Sequence, residues 1–446
     1  MNRKQKRLVL VALVAVEVLI CAAIIAGLAT LRFAFPRARF FYVADTRAEE
    51  TVEQRFVTDG PATLDLTNTY GDVQITAAEG DRFVVKATKE AWGQNKSEAE
   101  AKVQALEVRM TMDGGTLQVQ VKDPDRETTV VFGSTRGSQV RFEVEAPRQT
   151  AVVVQTRHGR VTLTGTEGDA DLTGRFGPIV VEDVSGSITA DTNNDDVTVR
   201  RSGGKGAKVD LHSDFGDITA REVTAKELTL DSNNGALELE NVTVHGDLVL
   251  NTLFGKVELE SIRAESLKVT SQNGTITLKD AQFDGLLDIS SKFGAVSASS
   301  TAASEYKIET DNGAITLDGG RGPLWLHSKF GDIEVRGAQD ATLDLVTSNG
   351  KVTFEGSLSA EADHLVEGNF GSVVLRLPSD TAVTLDASTD FGRIRCEFDV
   401  LVEGGGDDKE SRSSGDELRG AINGGGHRLR VKTRNGDITI EAEPSN

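Results

Sequence analysis

The chain has 446 residues, a net charge of −20, 45 glycines, 8 prolines and 2 cysteines. A surface that acidic repels nucleic acid, and no basic patch with interleaved aromatics offsets it, so no nucleic-acid partner is expected. Many glycines with few prolines suit serial tight turns better than a disordered linker, and Cys21 and Cys396, near opposite ends, make no disulfide framework.

The N-terminus reads first. Residues 1–7, MNRKQKR, form a basic tail, and Leu8–Leu31 runs apolar with Glu17 as its one charge. As a helix that run would be ~36 Å long, enough to cross a bilayer with some tilt. It exceeds the apolar core of a cleaved signal peptide, which is the lesser alternative. The short basic tail is expected to stay cytoplasmic, leaving the bulk of the chain extracytoplasmic, at the cell surface or in a periplasm. Glu17 is either a tolerated carboxyl or a candidate contact to a partner helix in the membrane. Residues 32–50 read as a juxtamembrane connector.

Residues 51–150 read as an irregular β-rich beginning. PATLDLTNTYGDVQITAAEGDRFVVKATKEA predicts three strands with turns at Tyr70-Gly71 and Glu79-Gly80. KSEAEAKVQALEVRM, from Lys96, predicts one short helix, and TLQVQVKD and VRFEVEAP are further strands of period two.

Residues 151–401 repeat. A turn glycine returns about every twenty residues, with Asp195 in its place once. The residue before it alternates: Phe176, Asn194, Phe215, Asn234, Phe254, Asn273, Phe293, Asn312, Phe330, Asn349 and Phe370. The alternation fails at the next turn, where Phe391 follows Phe370. Such a period signifies a solenoid, propeller or array. Without a Trp-Asp signature, stacked parallel coils fit better than propeller blades. We expect a parallel β-helix with coils of ~20 residues, ~39 being the alternative. Period two places Leu248, Leu250, Thr252 and Phe254 on one face, so the Phe or Asn is expected to point inward at the corner. The glycine is expected to adopt a backbone conformation that a Cβ would resist. Residues 402–425, rich in glycine and charge, read as a mobile loop, and 426–446 as the final strands that close the solenoid.

VRFEVEAPRQTAVVVQTRHGRVTLTG (140–165), HSDFGDITA (212–220) and KTRNGDITIEAE (432–443) carry a resemblance. Their serial S/T-x-x-G-D-I-T units resemble a bacterial putative-adhesin family of β-helix fold, a domain of unknown function, over most of residues 51–443. The resemblance implies a right-handed single-stranded β-helix, commonly exported or membrane-anchored, with no catalytic motif to carry over.

Catalytic signals are fragments. Pectin-degrading β-helices cluster aspartates, a Gly-His-Gly and an Arg-x-Lys; the fragments here, Asp195 and Asp196, His245-Gly246, and Arg430 with Lys432, lie many coils apart. The six histidines (158, 212, 245, 327, 364 and 427) lack zinc-ligand spacing and read as exposed strand or turn residues. GGGDD at 404–408 lacks the nonapeptide period of calcium-binding repeats. No cofactor or metal site is expected. The sequence thus predicts a membrane-anchored, non-enzymatic β-solenoid that acts as an adhesin-like binding module for glycans or envelope proteins. A structural or regulatory envelope component working through membrane partners is the alternative, and a polysaccharide-active enzyme the minor one.

Overall fold

Residues 247–264 show how one coil is made. Asp247–Phe254 and Val257–Ala264 are strands whose buried positions are Leu248, Leu250 and Thr252, then Val257 and Leu259, then Ile262 and Ala264. Two adjacent exposed residues, Glu260 and Ser261, interrupt the alternation. Ser261 has a positive φ of 58°, so the chain turns there and begins a third short side. Each coil therefore has three sides, one more than the strand–turn–strand unit legible in the sequence. Each buried aliphatic side chain contributes roughly 1.5–3 kcal/mol as an upper estimate.

The computed structural model describes residues 46–122, 137–401 and 416–444. The apolar run 8–31 with Glu17, and most of the 32–50 connector, lie outside them. Among the described residues no helix is long and apolar enough to cross a membrane. Successive coils pair in parallel, Leu228 with Leu248, Leu248 with Leu267, and Leu267 with Leu287. Phe254 lies between Asn234 and Asn273, in register with Asn273. One coil is thus about twenty residues, and the ~39-residue alternative is excluded.

Antiparallel strands surround the N-terminal end. β1 (Thr46–Val57) pairs antiparallel with β4 (Arg82–Gly93), and β4 with β7 (Gln139–Pro147). β2 (Ala62–Tyr70) pairs in parallel with β6 (Thr116–Lys122) and β8 (Thr150–His158), so it already belongs to the solenoid wall. β3 (Val73–Ala78) likewise pairs in parallel with β7. β5 (Glu107–Asp113) and β6 form an antiparallel hairpin. Helix α1 (Lys96–Ala105) starts at Asn95, whose side chain accepts the Glu98 amide at 2.9 Å, and buries Ala99 and Val103. That N-cap satisfies a helix-end donor that would otherwise lack a partner.

The C-terminal end differs from the simple closure expected. Strand Arg428–Asn435 does not follow the last coil. It lies between His364–Phe370 and Val383–Phe391, parallel to both. Ile438–Glu443 enters in the same way between Val373–Pro378 and Ile394–Cys396. Part of the 402–425 segment read as a loop is also strand: Glu417–Ile422 pairs antiparallel with Val383–Ser388 and with Val400–Leu401. It covers the terminal coil, whose backbone edge would otherwise be open.

Candidate functional site

The corner between the first two sides holds the ladder seen in the sequence, but not in the orientation expected. The Phe side chains point outward: Phe176, Phe215, Phe254, Phe293, Phe330, Phe370 and Phe391 are 47–73% exposed. The inward position at this corner belongs to the residue two before each Phe or Asn. Ser213, Ser232, Thr252, Thr310, Ser328 and Thr347 are all buried there. Alternation stops at this hydroxyl, and the next two residues both face solvent, as Leu253 and Phe254 do.

At many coils a hydroxyl braces this turn. Ser232 Oγ accepts the Gly235 amide at 2.9 Å and donates to the Gly216 carbonyl of the preceding coil at 3.3 Å. Ser213 accepts the Gly216 amide at 2.9 Å, and Thr347 Oγ1 donates to the Gly331 carbonyl at 2.9 Å. Corner backbone groups facing the core are thereby paired. The aspartate after the glycine links coils from outside: Asp217 accepts the Ala236 amide at 2.7 Å and Asp332 the Lys351 amide at 2.7 Å. The S/T-x-x-G-D motif is a corner brace.

The reason for glycine also differs from expectation. A Cβ on Gly235 would stand 1.8 Å from the Gly216 carbonyl oxygen, and one on Gly255 would stand 1.9 Å from that of Gly235. Close approach of stacked backbones requires glycine there, and neither residue has positive φ. Among the repeat's turn glycines Gly371, with φ 150°, does show the expected conformation; the non-glycine left-handed residues lie at the next corner, where Asp183, Arg201, Glu222, Asn241, Ser261, Asp280 and Ser300 have φ of 46–58°.

At the ladder, ring faces lie across the solenoid axis where ring pairs are adjacent. Tyr70 and His158 stack with centroids 4.5 Å apart, and His158 and Phe176 at 4.7 Å. Beyond Phe176 each Phe is separated from the next by an Asn. Rings on every rung would stack continuously, as Tyr70, His158 and Phe176 do. The intervening amide breaks that stack, and it interrupts what would be a continuous apolar strip. It also satisfies the turn: Asn194 Nδ2 donates to the Arg175 carbonyl at 3.2 Å and Asn234 Nδ2 to the Asp214 carbonyl at 3.3 Å. Where the sequence alternation fails, the fold restores it, because Asn435 is in register with both Phe370 and Phe391. The complete ladder from Phe176 to Phe391 therefore alternates without a break over ~58 Å at ~4.8 Å per coil.

Three other clusters went unread in the sequence. Glu90, 2% exposed, accepts from Arg47 at 2.8 Å, Arg141 at 3.0 Å and Gln139 at 2.8 Å. A groove of about 620 Å³ beside β1, β3, β4 and β7 carries both charge signs, with Glu53, Arg55, Arg82, Lys86, Glu143 and Glu145. On the outward side of strand Arg321–Phe330, Trp325 stacks on His327 at 3.7 Å, and His327 contacts Asp344 at 2.9 Å. His364 contradicts its reading as exposed: it is 2% exposed, accepts the Leu343 amide on Nδ1 at 3.4 Å and approaches the Ser359 carbonyl through Nε2 at 3.0 Å. Burial holds its pKa below the ordinary 6.5.

The fragments with catalytic flavour are not brought together. Asp195 and Asp196 sit beside the Asn194 rung, whereas Arg430 pairs with Leu365 and Asp386 near the far end. Asp214 is held below its ordinary range by the Asn193 and Asn233 amides, and Asp183 by Arg201. Among the described residues no group of three or more His, Cys, Asp or Glu could hold a metal ion.

A family model described as Toastrack DUF4097 matches residues 61–292 and, overlapping, 246–441. The chain belongs to this family. The two matches overlap within the regular coils and together reach from β2 to the inserted C-terminal strands. No curated protein matches. Among solved structures, the Toastrack chain is similar to a putative cell adhesion protein from Clostridium sporogenes at 10% identity and TM-score 0.16, covering 88% of this chain and 100% of that one. It is also similar to a putative adhesin from Bacteroides fragilis, at 13% identity and TM-score 0.27, over 69% of this chain and 97% of that one. A putative lipid binding protein from Parabacteroides distasonis matches at 13% identity and TM-score 0.27, over 69% and 96%.

Proposed function

We propose that this chain is an adhesin-like surface binding module without catalysis, and that its binding surface is the Phe/Asn ladder. One observation carries the reading. Of the ten large apolar residues exposed among those described, seven are the ladder phenylalanines, all on one edge. Isolated exposed apolar residues are ordinary, but seven exposed rings set in one line at a regular pitch, with a polar rung between each pair, make a patterned contact surface. Binding along a repetitive edge sums many weak contacts, which suits an extended or repetitive partner such as an envelope glycan or envelope protein. The dispersal of the acid and base residues along the solenoid favours binding over bond cleavage. The same reading takes Leu8–Leu31 as a membrane anchor, the solenoid as extracytoplasmic and the coil as right-handed.

The test is retention. The full chain is incubated with glycan arrays and with cell-envelope fractions, and both bound protein and released sugar are measured. Saturable retention without sugar release, reduced at least tenfold by Phe254→Ser with Phe330→Ser, is the expected result. Release of sugar fragments, or retention indifferent to those substitutions, would overturn the reading.

A further inference from the structure

We infer that the ladder's partner is the ladder of a second copy of this chain, packed antiparallel with phenylalanines interleaved. The inference rests on the reading of the ladder as the binding surface and names what binds there.

The geometry is that of a comb. Phe and Asn occupy alternate coils, so phenylalanines recur every ~9.6 Å, two coil rises. An asparagine side chain is shorter than a phenylalanine, so each asparagine floors a slot between two projecting rings. A ring entering that slot would lie ~4.8 Å from the ring on either side, within the centroid range of offset-stacked aromatic pairs. A partner must therefore present flat apolar groups at the same ~9.6 Å pitch, and another copy of this ladder has that pitch by construction.

Symmetry fixes the orientation. Two parallel copies related by a two-fold axis along the solenoid would set each Phe opposite the same Phe, tooth against tooth. A two-fold axis across the solenoid reverses one copy and, when it passes between a Phe rung and an Asn rung, sets every Phe opposite an Asn. Such a contact is isologous and closed. Two adjacent registers each seat six rings in Asn-floored slots. In one, Phe254 faces Asn312 of the second copy, and in the other it faces Asn349. The area suffices: rings of ~200 Å², about half exposed, give roughly 600 Å² over the six seated, the lower end of the ~600–1,000 Å² that each partner contributes to a standard interface. The intrachain Asn435 is part of the argument, because without it Phe370 and Phe391 would leave no slot between them.

The antiparallel arrangement places the two N-terminal ends at opposite ends of the pair. Chains tethered through their N-termini would then come from facing surfaces, so the contact would be homotypic adhesion.

The test uses the full chain in its own membrane fraction, with the photoreactive analogue p-benzoyl-phenylalanine at position 254. Irradiation should give a chain–chain adduct at residues 311–313 or 348–350. Within one chain those residues lie three or more coils away, ~14 Å at the nearest, beyond the reach of the probe. A second variant separates interlocking from mere stickiness. Asn273→Phe with Asn312→Phe adds apolar surface yet fills slots, and should lower the adduct at least tenfold. Absence of a chain–chain adduct, or a stronger one in the slot-filled variant, would overturn the inference. Retention on glycans or envelope fractions without the adduct would leave the binding-module reading standing and sink this one alone. Absence of both would sink the two together.

Discussion

Asn435 lies in register with Phe391, although Phe391 precedes it by more than two coils' length of chain. The last strand to be made is not the last rung. The chain passes through its terminal coil, doubles back through the covering strand Glu417–Ile422, and slides Arg428–Asn435 beneath the coil just formed. The brace is remade across the insertion: Thr389 Oγ1 donates to the Gly436 carbonyl and Thr433 Oγ1 to the Gly371 carbonyl, each at 2.9 Å. Removing the segment from 428 onward would therefore leave Val383–Phe391 without its parallel partner, not merely trim an end.

Backbone approach at the glycine corner predicts a steep contrast. Gly255→Ala would place a methyl 1.9 Å from the Gly235 carbonyl oxygen, with backbone rather than a movable side chain in the way. It should cost about 3 kcal/mol. Gly206→Ala, whose Cβ would meet nothing within 4 Å, should shift stability by about 0.5 kcal/mol or less. Urea unfolding of the two variants measures both, and similar values would refute close approach as the reason for glycine.

The corner hydroxyls predict a second contrast. Ser232→Ala removes the acceptor of the Gly235 amide, leaving that buried donor unpaired, and should cost about 1–3 kcal/mol. Ser271 is buried with no hydrogen-bond partner for its hydroxyl. Its replacement by Ala should be nearly neutral, or stabilising. Equal losses at the two sites would show that the hydroxyl is not the brace.

Exposure of the ladder predicts where phenylalanine matters to folding. Phe293 is 54% exposed and Phe354 fully buried. Phe293→Ser should change stability by about 0.5 kcal/mol or less, whereas Phe354→Ala should cost about 3–5 kcal/mol. The measurement is the free energy of unfolding. A large loss at Phe293 would place the ring in the core after all.

His364 predicts a pH dependence with a definite sign. Its Nδ1 accepts the Leu343 amide, so the folded state needs the imidazole neutral. Burial depresses its folded pKa below the ordinary 6.5. The unfolded chain then binds more protons below pH 6.5, and stability must rise with pH through that window. The contribution is full above the ordinary value and is lost as pH falls from 6.5 toward the depressed folded value. Unfolding midpoints between pH 7.5 and 5 should fall for the wild type and flatten in His364→Gln. A wild-type midpoint that rises on acidification would reverse the assignment.

Much of this architecture was legible because it is written locally and repeatedly. Period two along DLVLNTLF places Leu248, Leu250 and Thr252 inside, and the twenty-residue return of Gly and Phe or Asn sets the coil. A hydrophobic pattern repeated with one period can bury a continuous core only by stacking. The glycine before each second side could be read as a corner from its spacing alone.

What only the tertiary structure decided concerns neighbours distant along the chain or a single step of alternation. Whether Phe254 faces in or out turns on where alternation stops; it stops at Thr252, at the corner where the chain packs against Gly235 of another coil, and Thr252 Oγ1 lies 3.5 Å from that glycine's carbonyl. The third side was hidden in one extra polar residue, such as Ser261, whose left-handed backbone has no residue-type signature when it falls on Asp, Arg, Glu, Asn or Ser by turns. The final strands within 426–446 were legible as strands, but their insertion between earlier coils was not. Sequence order records which residues are adjacent in the chain, while the place of Asn435 between Phe370 and Phe391 is set by coil-to-coil hydrogen bonds that carry no trace of the order in which the coils were made.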